Sequence, residues 1–68
     1  MIVVDARGLS CPQPVIETKK AVKDNPSKLE VIVDNIAAFE NVTRFAKACG
    51  YSVSSSEKGG EYSLVLSK

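Results

Sequence analysis

The chain has 68 residues and two cysteines, which suits one small domain with a single core but not the several disulfides typical of small secreted domains. Nine basic and eight acidic side chains give a net charge of +1, which excludes a strong overall attraction to nucleic acid or anionic lipid. Histidine is absent, so the usual Cys–His and Ser–His dyads are excluded and a metal site is disfavoured.

The first half of the sequence predicts a strand, a helix and a second strand. Residues 2–6 are apolar and β-branched, and a loop then leads to a helix predicted from Pro12 to about Asp24. The helix is expected to be amphipathic, with Val15, Ile16, Lys19 and Val22 on one face and Glu17, Lys20 and Asp24 on the other. Asn25-Pro26 ends this helix. Residues 29–34 contain β-branched residues in an alternating pattern and give the clearest strand signal of the chain.

The second half predicts a helix followed by a hairpin. Asn35 is suited to cap a helix that begins near residues 36–38, and Gly50 is suited to end it. Gly59-Gly60 lies between predicted strands at residues 51–57 and 61–66, as in a tight hairpin. The order βαβαββ indicates an α+β fold, a two-layer α/β sandwich in which two helices cover one face of a mixed four-stranded sheet.

The uncovered face of that sheet is expected to carry three apolar side chains among polar ones. Period two places Val3, Ile32 and Val65 there. They either form a small docking patch or are ordinary exposed apolar groups, which are common on protein surfaces.

The most informative motif is the run Gly8-Leu9-Ser10-Cys11-Pro12-Gln13-Pro14. Proline is favoured at the first helical position, so Pro12 predicts that Cys11 is the N-cap and that Pro14 is the third residue of the helix. The prolines carry no N–H, so the Gln13 amide is the nearest donor to the sulfur, and the positive end of the helix dipole adds to it. This environment favours a thiolate and makes Cys11 a candidate nucleophile.

Several flanking residues have both a functional and an ordinary interpretation. Cys11 could instead be a small buried apolar residue, whereas Cys49 continues the apolar face of the second helix and is expected to be inert core. Asp5 and Arg7 either meet a partner or form a solvated ion pair. The exposed cluster of Lys19, Lys20 and Lys23 either meets an acidic partner or serves solubility. Gly8 is expected to adopt a backbone conformation that other residues resist.

The motif and its place after a first strand that ends in Asp5-Ala6 resemble the signature of the TusA/SirA family of small sulfur-carrier domains. The similarity extends over essentially the whole chain. The segments Asp34-Asn35, 40–46 and Gly50-Tyr51 look most like the amino-terminal domain of YedF-type proteins. In those proteins the domain is often fused to a DsrE-like domain and is associated with selenium metabolism. Residues 1–68 are therefore expected to form one domain. The alternatives are a separate small protein and a domain excised from a longer two-domain protein.

The resemblance implies that Cys11 accepts sulfane sulfur as a persulfide from a donor such as a cysteine desulfurase and passes it to an acceptor protein. Gly8, Pro12, Gln13 and Pro14 would support that cysteine. Many family members have an acidic residue at the position of Gln13, and a neutral side chain there favours the thiolate slightly. The alternatives are a noncatalytic docking or regulatory module and a selenium carrier that uses the same thiol. No cofactor is expected, and the absence of a signal-like or spanning segment favours the cytoplasm.

Overall fold

A computed structural model of the chain describes residues 2–9 and 12–68. Its elements follow the predicted order, with boundaries that differ by one or two residues from those expected. They are β1 (Ile2–Asp5), α1 (Gln13–Val22), β2 (Lys28–Val33), α2 (Ile36–Ala48), β3 (Ser52–Lys58) and β4 (Glu61–Ser67).

The four strands form one mixed sheet in the order β1-β2-β4-β3. Strand β1 is parallel to β2, with Val4 opposite Val31, and β4 is antiparallel to both β2 and β3. Because β1 and β2 are parallel, their carboxyl ends lie at the same edge of the sheet. The loops that lead into α1 and α2 therefore begin side by side, and β4 begins at that edge too.

The two helices cover one face of the sheet, as predicted. Strand β2 shows the alternation clearly, because Leu29, Val31 and Val33 have no exposed surface whereas Glu30 and Ile32 are only half-buried. The core also contains Ala6, Ala38, Val42, Ala46, Tyr51, Leu64 and Leu66. The Tyr51 hydroxyl, which lies at the edge of this core, donates a hydrogen bond of 2.7 Å to the Pro26 carbonyl.

Helix α2 begins and ends as the sequence predicts. The Asn35 side chain accepts a hydrogen bond of 2.8 Å from the Ala38 amide, which makes Asn35 the N-cap. Gly50 follows the C-cap Cys49 with a φ of +90°, in the left-handed region that favours glycine. Gly59 and Gly60 also have positive φ, as a two-residue hairpin turn requires.

The predicted grouping of α1 residues into two faces is partly wrong. Val15 and Val22 do pack against the core, but Ile16 and Lys19 are exposed, and Pro14 and Thr18 are buried instead. Thr18 can be buried because its hydroxyl donates a hydrogen bond of 2.9 Å to the Pro14 carbonyl one turn earlier. That bond satisfies the only polar atom of the side chain, so threonine acts here as a core residue.

The open face of the sheet carries the three apolar residues expected on it. Val3 aligns with Glu30 and through it with Val65, and Ile32 lies on the same side. Val3 is 55% exposed, while Ile32 and Val65 are half-buried. In the part of the chain that the structure describes, neither helix is long and apolar enough to cross a membrane.

Candidate functional site

The motif lies at the sheet edge where β1 and β2 end. Cys11, with Ser10, lies outside the described residues, so the structure defines its two flanks. Before it, Leu9 packs against the core, and after it, Pro12 leads directly into α1. The prediction that Cys11 is a nucleophile therefore stays a prediction.

The predicted start of α1 is wrong by one residue. Pro12 has φ −96° and ψ 15°, outside the helical range, and its carbonyl accepts the first helical bond, of 3.1 Å, from the Ile16 amide. Proline restricts φ but not ψ, so Pro12 can act as the N-cap rather than the first helical residue. Cys11 consequently precedes the N-cap, and Pro14 is the second helical residue.

This start leaves two amide donors at the amino terminus of α1. The N-cap and the first three helical residues have no intrahelical acceptor for their N–H groups, and two of these four residues are prolines. The remaining donors belong to Gln13 and Val15. Sequence reasoning named Gln13 and missed Val15, because it placed Pro14 one position too late. Together with the helix dipole, these donors make the end of α1 next to Cys11 favourable for negative charge.

The rest of the motif anchors this helix end. Pro14 is fully buried, whereas Pro12 is exposed and Gln13 is half-buried. The Gln13 side-chain amide donates a hydrogen bond of 2.9 Å to Glu17, which also contacts Lys20 at 3.5 Å. Glu17 is thus engaged along the helix surface by two neighbours.

The loop before the motif is held by ionic contacts. The Arg7 guanidinium donates to both carboxylate oxygens of Asp5 at 2.8 Å, and Arg7 Nη1 lies 3.4 Å from Glu61 at the start of β4. The hydrogen bonds from Arg7 lower the pKa of Asp5 from 3.8 to about 2, and the two carboxylates raise the pKa of Arg7. All three side chains are about half exposed, which agrees with the solvated ion pair considered above. A partner contact by Asp5 or Arg7 stays a prediction.

Gly8 has the conformation expected of it and one contact that was not expected. Its φ is +78°, and its amide donates a hydrogen bond of 2.8 Å to Oδ2 of Asp34, directly after β2. The other oxygen of Asp34 accepts a bond of 3.3 Å from the Asn35 side chain. Asp34 therefore links the loop that leads to Cys11 with the start of α2.

Sequence reasoning missed Asp34 and Glu61 as members of this region. The parallel pairing implied by a β–α–β unit could have indicated Asp34, because it brings the residues that follow β1 next to those that follow β2, as the Gly8–Asp34 bond shows. Glu61 had no comparable signal, since the sequence does not say which strand lies beside β4.

Two further surface features involve α1. Lys19, Lys20 and Lys23 are exposed as expected, and Lys20 pairs with Glu17. A shallow cleft between the two helices adjoins Pro12, and its other lining residues are Val15, Asn41, Arg44, Phe45 and Ala48.

Cys49 is half-buried and packs against the core. Within residues 2–9 and 12–68, no group of His, Cys, Asp and Glu is arranged to hold a metal ion.

Comparisons with known proteins agree on one family. The family model described as Sulfurtransferase TusA matches residues 2–68. The chain is 38% identical over 68 residues to a candidate sulfur carrier protein of Methanocaldococcus jannaschii, covering 96% of this chain and 91% of that protein. It is 32% identical over 68 residues to the sulfur carrier protein TusA of Allochromatium vinosum, covering 96% and 90%. The crystal structure of a SirA-like protein from Desulfitobacterium hafniense matches with a TM-score of 0.88 and 34% identity, covering 98% and 96% of the two chains.

Proposed function

This chain belongs to the TusA family, and from that premise we propose that it is a sulfur carrier that holds sulfur as a persulfide on Cys11. The observation that carries the proposal is the cysteine next to the amino terminus of α1, within a match that spans residues 2–68. The resemblance predicted from the motif is confirmed at the level of the family. Similarity to YedF-type proteins in particular stays a prediction.

The proposed reaction is two successive thiol exchanges at sulfur. The Cys11 thiolate attacks the terminal sulfur of a donor cysteine persulfide, so a new S–S bond forms on Cys11 while the donor's S–S bond breaks. The donor cysteine leaves as a thiolate. An acceptor thiolate then attacks the terminal sulfur on Cys11, and Cys11 leaves as a thiolate in turn. No net oxidation occurs and no further reactant is needed.

The local structure supports this chemistry without a general base. The attacking group is already an anion, so a lowered thiol pKa is sufficient and the absence of histidine is no obstacle. The donors at Gln13 and Val15 and the dipole of α1 favour a negative charge beside Pro12. The same groups would favour the anionic persulfide, by about 0.3–1 kcal/mol for an exposed charge. Such a modest stabilisation suits a carrier that must release its sulfur.

The test is sulfur loading measured by intact mass. The protein is incubated with a cysteine desulfurase and cysteine, and we expect a reducible adduct of one sulfur atom. Cys11→Ser should abolish the adduct, and Cys49→Ser, the matched control at the second cysteine, should retain it. An absent adduct in the parent protein, or an adduct that survives Cys11→Ser, would contradict the proposal.

The donor class, the acceptor and the chalcogen are finer parts of the proposal. A cysteine desulfurase is the proposed donor, and a protein thiol is the proposed acceptor, with a DsrE-like domain as one form of it. Selenium could replace sulfur on the same thiol because both elements are soft electrophiles in this exchange. Loading from a selenocysteine-supplied donor, compared with cysteine at equal concentration, would decide which one Cys11 prefers. The proposed location is the cytoplasm, where thiols stay reduced.

A second candidate function is a docking module that uses the motif surface or the open sheet face without covalent chemistry. The 55% exposure of Val3 on that face favours it. The module hypothesis expects an ordinary pKa for Cys11 and partner binding that survives Cys11→Ser. A depressed alkylation midpoint together with loss of sulfur transfer in Cys11→Ser would reject it.

A further inference from the structure

We propose that Asp34 is a positioning residue for sulfur transfer, because its carboxylate holds the Gly8 amide and with it the loop that carries Cys11. The inference rests on the proposed function and adds a residue from outside the motif. Asp34 lies 23 positions after Cys11 in the sequence, beyond the whole of α1. Its part in the relay would be indirect, through the backbone.

The first support is the geometry of Gly8. Its φ of +78° is a conformation that side-chain-bearing residues rarely adopt, so the loop turns sharply at this position. The Gly8 amide, at 2.8 Å from Asp34 Oδ2, is bound by a charged acceptor. Bonds of this type are roughly twice as strong as bonds between neutral groups. Since Asn35 engages the other oxygen, the carboxylate is itself oriented.

The second support is the set of contacts on the residues just before Gly8. The Ala6 amide donates a bond of 2.8 Å to the Ile32 carbonyl, and Ala6 has no exposed surface. Arg7 joins Asp5 to Glu61, which ties the loop to β4. Contacts at Ala6, Arg7 and Gly8 therefore fix the chain up to two residues before Ser10-Cys11. On the far side of this dipeptide, buried Pro14 fixes the start of α1.

The Asp34 carboxylate has two properties that a test can separate, namely its negative charge and the acceptor oxygen that binds the Gly8 amide. Asparagine keeps an acceptor oxygen without the charge, and alanine keeps neither.

The experiment compares Asp34→Asn with Asp34→Ala, both in the Cys49→Ser background so that Cys11 is the only thiol. Three quantities are measured: hydrogen exchange at the Gly8 amide, the rate of iodoacetamide alkylation against pH, and the initial rate of sulfur loading from a cysteine desulfurase. Asp34→Asn should keep Gly8 protected and keep the loading rate within about twofold of the parent. Asp34→Ala should speed Gly8 exchange about fivefold, the equivalent of one lost hydrogen bond, and slow loading by a similar factor.

The pH profile separates positioning from charge. The two variants have the same net charge, so their alkylation midpoints should agree while their loading rates differ. Equal loading rates for the two variants, at any level, would overturn the proposal, because the acceptor oxygen would then have no role. Loss of Gly8 protection in Asp34→Ala without slower loading would overturn it as well.

A matched control removes a similar bond elsewhere. Glu57 accepts a bond of 3.1 Å from the Gly60 amide in the β3–β4 hairpin, so Glu57→Ala loses a carboxylate-to-glycine contact outside the β1–α1 loop. It should load sulfur at the parental rate. Slowing equal to that of Asp34→Ala would indicate general destabilisation and count against positioning. Exchange and alkylation need no sulfur donor, so failure of the proposed function, seen as no adduct on the parent protein, is distinguishable from failure of this inference.

Discussion

Replacement of Asn35 offers a quantitative test of how the edge of the sheet that carries the motif is built. The Asn35 side chain accepts a bond of 2.8 Å from the Ala38 amide, and Ala38 is only 1% exposed. In Asn35→Ala the amide loses its acceptor in a place where water has little access. Loss of an N-cap costs about 0.5–2 kcal/mol, and the burial of Ala38 places this site in the upper half of that range.

The expected loss is therefore about 1.5 kcal/mol of unfolding free energy. In a domain of this size each kcal/mol corresponds to about 4–8 °C in the midpoint of thermal unfolding. Urea titration followed by far-ultraviolet circular dichroism measures the loss directly. The slope of free energy against urea should not change, because the folded and unfolded states expose the same surface as in the parent protein.

Asn35→Ser is the matched control, since serine keeps the capping oxygen but not the amide group that donates to Asp34. It should lie within about 0.5 kcal/mol of the parent protein. Equal losses in the serine and alanine variants would refute the reasoning, because the capping bond would then contribute nothing measurable.

Three other predictions concern the core, the loop and its ion pair. Leu64→Ala should lower the free energy of unfolding, measured by urea titration, by about 2–5 kcal/mol, since Leu64 is fully buried at the centre of the sheet. A loss below that range would contradict its buried position. Gly8→Ala should lower the free energy of unfolding by about 1 kcal/mol, because a Cβ at this position has open space but the backbone is left-handed. Gly8→Asn should lower it less, because asparagine tolerates this conformation better. The reverse order of the two variants would be evidence against this conformation. The pKa of Asp5 is lower in the folded state than in the unfolded state, so its pairing with Arg7 stabilises the folded protein. This stabilisation should be complete above pH 3.8 and disappear as the pH falls through about 2. An NMR titration midpoint of Asp5 near 3.8 would disprove the pairing.

The secondary structure could be predicted because each element carries its own signal in nearby residues. Asn35 and Gly50 delimit α2, and Gly59-Gly60 marks the hairpin, so each boundary depends on one or two residues. The buried face of α1 was harder to predict. Hydropathy places Ile16 inside and Thr18 outside, whereas the hydroxyl of Thr18 is satisfied within the helix and that face is the one turned towards the sheet.

The covalent part of the candidate site is a prediction from the motif, whereas the contacts that hold the preceding loop were not predicted. The motif points to Cys11 and to the Gln13 donor, because a cysteine and two prolines at a helix start have a local physical meaning, whereas the Val15 donor follows only from the observed start of α1. The contacts that hold the preceding loop depend on tertiary structure. Asp34 is close to Gly8 because β1 and β2 are parallel, and Glu61 is close to Arg7 because β4 pairs with β2. Neither Asp34 nor Glu61 is close to Cys11 in the sequence, so the residues around Cys11 do not indicate these contacts.

In the proposed carrier, two properties of the Cys11 thiol are expected to depend on different parts of the chain. We expect its ionisation to depend on the amino terminus of α1, whose free donors belong to the residues that follow Cys11. We expect its placement to depend on the residues that precede Cys11, which are held by Asp5 in β1, by Asp34 directly after β2 and by Glu61 in β4. Because different parts of the chain would control them, Gln13→Glu, which adds a negative charge at this helix end, should move the alkylation midpoint of Cys11 to higher pH, whereas a substitution at Asp34 should change the rate of transfer at a fixed degree of ionisation. A small domain with one core can in this way adjust the reactivity and the presentation of one thiol independently.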